Sequence, residues 1–132
     1  MMGYLFRKIL WVDCIGAIVT GLTMLAISGW LSGLYVLPLT YVIGHAAVHL
    51  TYGSYSFSLA VRKQRPMWML NLLIFANAAW AVLCAVFAAR LAGGDSVFAA
   101  IHFLIEGVYV GSLASIEWTR REYLAQSKTA AK

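Results

Sequence analysis

Charge is what this sequence has least of. Only 11% of its 132 residues are charged and five are acidic, against about a quarter charged in an ordinary soluble domain. A water-facing surface cannot be built from that supply. From Ile9 to Val61 the one acid is Asp13, with no lysine or arginine. That stretch is far longer than a globular core helix and suffices for two spans of about 20 residues. Cysteine is equally scarce. Cys14 and Cys84 fall in different spans at depths about 20 Å apart by helix rise, too far for a disulfide, so both read as small packing residues.

Motifs are missing too. There is no Walker loop, no Cys-x-x-Cys pair, no Gly-x-Ser-x-Gly elbow and no His-Glu-x-x-His helix, so hydrolytic and redox-dithiol chemistry have no support. The N-terminal apolar run is too long for a signal-peptide core and lacks a small-residue cleavage site, and it reads as the first membrane helix.

What is present is a basic excess, a net charge of +5, and its distribution is informative. Arg7 and Lys8 lie at the N-terminus, Arg62, Lys63 and Arg65 in the middle, and Arg120, Arg121, Lys128 and Lys132 at the C-terminus; only Arg90 lies elsewhere. This is the positive-inside pattern of a chain with both ends and its central loop in the cytoplasm. It argues for the inner (plasma) membrane and against nucleic acid.

The expected fold is an all-α, integral membrane four-helix bundle forming one domain over residues 1–132, with spans near 8–28, 36–61, 66–91 and 96–118 and a cytoplasmic tail over 119–132. Gly29 to Gly33 read as a tight outer turn with an interfacial Trp30. Pro38 and Pro66 stand where helices open, and Asp95 or Ser96 caps the fourth. Small residues, Ala78, Ala81, Ala85, Ala88 and Ala92 on the third span and Gly107, Gly111 and Ser115 on the fourth, permit close packing or oligomerisation. Expected partners are membrane lipid and a homodimer or larger membrane complex.

At an ungapped shift of 57 residues the chain resembles itself. Trp11 falls on Trp68, His45 on His102, His49 on Glu106, Tyr52 on Tyr109 and Lys63 on Arg120. Overall identity is low, but rare residues coincide. Two tandem helical hairpins related by a pseudo-two-fold axis along the membrane normal would explain it, with a site at their interface.

Ionisable groups inside a bilayer are costly and mark function by default. His45 and His49 share one face of the second span, with Tyr41 and Tyr52 extending the stripe. His102 and Glu106 repeat the i, i+4 spacing on the fourth, continued by Leu113 and Glu117. Matching heights would bring the four together. Such a quartet suits binding or translocation of a proton, a metal ion or a small solute, with a divalent transition metal as one cofactor and haem b, with His45 and His102 as axial ligands, as another, where Gly44, Gly53, Gly107 and Gly111 could admit the ring. A membrane enzyme of isomerase or cyclase type would use Glu106, His102 and His49 for acid–base work on a lipid-soluble substrate, with Tyr52, Tyr109, Trp80 and Asn77 shaping the pocket. An accessory subunit with a purely structural network is the plainer alternative. A second polar layer, Asp13, Asn71 and Glu117, is expected nearer the cytoplasm.

Overall fold

The computed structural model describes residues 8–125, and its regular structure is entirely helical. Five helices follow one another: α1 (Ile9–Ala26), α2 (Ser28–Tyr35), α3 (Leu39–Val61), α4 (Met67–Leu91) and α5 (Val97–Ala125). Three of them, α1, α4 and α5, are each long and apolar enough to cross a bilayer. α3 meets that standard only together with α2, from which it is bent by 119°. Length is not its problem, since 23 residues rise about 34 Å. Two histidines and a run of serine, threonine and tyrosine lower its hydropathy instead. Outward side chains are mostly apolar, among them Ile15, Val19 and Leu22 on α1 and Leu104, Ile105 and Val108 on α5, a surface suited to lipid.

The helices pack as two pairs, α1 along α3 and α4 along α5. Glycine makes both approaches close. A Cβ on Gly21 would stand 3.0 Å from the Ala46 carbonyl oxygen, and one on Gly107 would stand 3.0 Å from the Cys84 Cβ. The alanine and glycine stripes of α4 and α5 are thus spent, in part, inside the chain. Between the pairs two apolar plugs form. One gathers Leu10, Leu59, Leu70, Leu73 and Leu124; the other gathers Met24, Leu31, Val42, Ala46 and Ala99 beneath α2. They seal opposite ends of the assembly and leave its middle open.

Two local expectations need correction. Residues Gly29 to Gly33 do not turn: they lie within α2, and the reversal comes at Val36, which is left-handed at φ 53°. Glycine and serine are weak helix formers, and the short helix forms because it buries Leu31 and Tyr35 in the second plug; Pro38 follows two residues after its left-handed end. A β-branched residue at positive φ is uncommon, and packing of α2 on α3 and α5 holds it there. The second correction is at the other end, where α5 does not stop near Trp118 but continues to Ala125. Leu124 explains the extension, because it is buried in the first plug. Arg7 and tail residues 126–132, with Lys128 and Lys132, lie outside the described residues. Pro66 stands immediately before α4, and the Ser96 carbonyl accepts the Ala100 N–H at 3.0 Å, so Ser96 opens α5.

Arg65 ties this end together. Its Nε donates to the Leu59 carbonyl (2.8 Å), Nη1 to the Leu124 carbonyl (3.0 Å) and Nη2 to the Ala60 carbonyl (3.3 Å). One guanidinium thereby caps the C-terminal ends of α3 and α5, where a cation is favoured. Half-burial pulls its pKa below the usual arginine value. Arg65→Met should lower stability by about 1–2 kcal/mol. Arg65→Lys should recover little of it in a thermal melt, since an ammonium cannot reproduce the fork; full rescue by lysine would count against the capping role.

Candidate functional site

α3 and α5 run in the same direction, so residues near their starts reach the same height. His45 on α3 and His102 on α5 meet edge to face with ring centroids 5.5 Å apart. One turn further along, Glu106 is the point on which the group converges. His49 Nε2 lies 2.9 Å from its Oε1, while His45 Nε2 and His102 Nε2 each lie 3.0 Å from its Oε2. The Trp80 indole N–H, from α4, donates to Oε1. His45, His49 and Glu106 together offer three ligand atoms within 4.8 Å of one another.

The surroundings fix the rings. His45 stacks on Phe103 at 5.1 Å and on His49 at 4.9 Å. On His102 the Nδ1 lies 2.8 Å from the Tyr35 hydroxyl. With Nε2–H donated to Glu106, Nδ1 is left as acceptor for that hydroxyl, giving a chain from α2 to the carboxylate. One contact is unlike the rest: His45 Nε2 and His49 Nε2 face each other at 3.2 Å. Both nitrogens also lie within 3.0 Å of Glu106, so each can direct its hydrogen to the carboxylate, and the 3.2 Å approach brings two potential ligand atoms together.

Haem b is the arrangement these rings do not make. Both Nε2 atoms rest on one carboxylate, with no slot between them for a porphyrin. A Cβ on Gly53 would strike Ile18, and one on Gly107 would press on Cys84, so neither glycine opens space for a macrocycle. Gly44 faces open space away from the neighbouring helices.

Beside the cluster lies a cavity of about 1020 Å³, lined by residues of α1, α3, α4 and α5. Its wall is mostly apolar but includes His49, His102 and Glu106 at one end and Asp13, Tyr52 and Asn77 at the other. Val48, Leu72, Leu83, Ile105 and Tyr109 line it and are also exposed on the outer surface. With both ends plugged, the cavity opens sideways between the helix pairs.

The lower polar layer differs from the expected one. The Asp13 Oδ2 accepts hydroxyls from Tyr52 and Ser56, both at 2.6 Å. Glu117 is joined by Asn77, whose Nδ2 donates to Oε2 at 3.2 Å. Asn71 stands apart, with an enclosed Oδ1 that has no hydrogen-bond partner. Asn77 therefore takes the place expected of Asn71, because it lies six residues, nearly two turns, further into the bundle. Tyr41 is 70% exposed and does not belong to the histidine stripe. Tyr109 lines the cavity and donates to the Val12 carbonyl at 3.3 Å.

Three contributors escaped the sequence reading: Tyr35, Phe103 and Ser56. Ser56 was legible, four residues beyond Tyr52 on the same face. Tyr35 was not, since it sits on a helix that the glycines disguised as a turn. The chain matches no family model, and no curated protein and no solved structure matches it either.

Proposed function

We propose that this chain is a four-span membrane protein of two tandem hairpins, and that His45, His49 and Glu106 hold a divalent transition metal ion facing a lipid-accessible cavity. The single observation that carries this reading is the convergence of three imidazole Nε2 atoms on one buried carboxylate. The edge of a tetrahedral zinc site with bonds of about 2.0–2.1 Å is about 3.3 Å. With Oε1 as the carboxylate ligand, the three ligand atoms are separated by 2.9, 3.2 and 3.2 Å, close to that edge.

His102 serves this site from behind, fixing the second carboxylate oxygen and held in turn by Tyr35. Three protein ligands leave coordination positions open toward the cavity, as in metal centres that polarise a substrate or activate water. Acid–base catalysis by Glu106 alone fits less well, because both its oxygens already accept hydrogen bonds. The substrate would be lipid-soluble and arrive laterally. The basic flanks support cytoplasmic termini in the plasma membrane, and the tandem hairpins fit the pairing of α1 with α3 and α4 with α5. Oligomerisation would use the exposed outer faces.

The test is metal analysis of protein purified through a tag without histidine and dialysed against Zn²⁺ or Co²⁺. Wild type should retain about one ion per chain. His49→Ala should retain none, and His102→Ala should bind roughly 10–100-fold more weakly. A metal-free wild type after loading, or equal retention by His49→Ala, would leave only a hydrogen-bonded structural network.

A further inference from the structure

The cavity has a second polar end that the metal reading does not use. Asp13, 2% exposed, lines this end, whereas Glu117, 0% exposed, lies outside the cavity wall and is joined to it through Asn77, which does line it. Neither is paired with a basic side chain among the described residues; their partners are two hydroxyls and one amide. Glu106, by contrast, is surrounded by three imidazoles. The Glu117 Oε1 is enclosed and has no hydrogen-bond partner at all. Asp13 is the one of the two that faces the cavity, and a buried carboxylate without a counter-cation is stabilised by a positive charge beside it.

We infer that the cavity binds a lipophilic amine, with its ammonium group beside Asp13 and its hydrocarbon body directed toward Glu106. The wall dictates the body, being apolar over most of its area. The volume of about 1020 Å³ is at the upper end for a small-molecule pocket and far too large for a bare metal ion. Tyr52 and Tyr109 line the Asp13 end and can turn ring faces to a cation. Ser56, which anchors Asp13, lies seven residues beyond His49 on α3, about 10 Å of helix rise. An amine with a chain or ring system of that reach would touch both ends at once. A neutral lipid would fill the same walls but leave Asp13 without a counter-charge, and a hydrophilic cation would waste the apolar surface. The sideways opening supplies the route, since such amines partition into bilayers.

Binding is measured on the full chain in phosphatidylcholine nanodiscs, subtracting uptake by empty discs. Radiolabelled N,N-dimethyldodecylamine is compared with dodecanol, a neutral probe of equal chain length. The amine should bind saturably at about one per chain and at least tenfold more tightly than the alcohol. Asp13→Asn should weaken the amine at least tenfold and leave the alcohol unchanged. Equal binding of amine and alcohol by wild type overturns the inference without any variant, as does an unchanged amine affinity in folded Asp13→Asn. Repeating the wild-type comparison after chelation separates it from the metal proposal: amine preference that persists in metal-free protein stands even if no metal site exists.

Discussion

Glu106→Ala should reduce the stability of the metal-free protein by roughly 2–5 kcal/mol, the largest loss of any single polar substitution. Four donors, from His45, His49, His102 and Trp80, rest on that carboxylate. Three of these bonds, from His45, His49 and Trp80, cross between helices; such bonds in membranes are worth about 0.6 kcal/mol on average and about 1.7 at most, so three lost together give that range. The carboxylate also joins α3, α4 and α5, so its removal uncouples the two helix pairs where they otherwise touch little. Glu106→Gln keeps one acceptor oxygen and should fall between wild type and alanine. The measurement is reversible unfolding in mixed micelles. A change below about 1 kcal/mol for Glu106→Ala would mean that the cluster holds nothing together.

The second large effect is steric. Gly53→Val should destabilise by about 1–3 kcal/mol, whereas Gly44→Ala should be neutral or stabilising by up to about 1 kcal/mol. At Gly53 a Cβ would meet Ile18 Cγ1 at 2.7 Å, the Ile18 backbone nitrogen at 3.2 Å and the Ala17 Cβ at 3.3 Å. A side chain can rotate away from such a contact, but the backbone of α1 cannot, so the helices must part. At Gly44 nothing lies within 4 Å, and replacing glycine inside a helix only recovers conformational entropy. Both glycines sit on α3, nine residues apart, so the comparison holds the helix constant and varies the packing. Equal melting temperatures for the two variants would rule out close packing of α1 on α3 at Gly53.

Much of this site could be read from the chain because helical periodicity is rigid. His45 and His49, and His102 and Glu106, are four residues apart, and that spacing alone puts each pair on one face. Similar distances from the helix starts then set their heights. The same logic failed for Tyr41, since a residue four positions before His45 shares its face only while the neighbouring helix still covers it. It failed again for Asn71 and Asn77, where the choice between two asparagines depended on how far each lies from the end of α4.

The apolar helices, their approximate limits and the pairing of polar residues along α3 and α5 follow from composition and period, because scarce charge and 3.6-residue repetition are properties of the chain itself. Other features were decided only by tertiary packing. Among them are the fold of Ser28–Tyr35 into a helix, the extension of α5 to Ala125, the Tyr35 contact to His102 and the cavity between the two helix pairs. The reason is physical: each depends on which surfaces meet across the bundle, and a cavity is defined by side chains far apart in sequence whose separation no local pattern encodes.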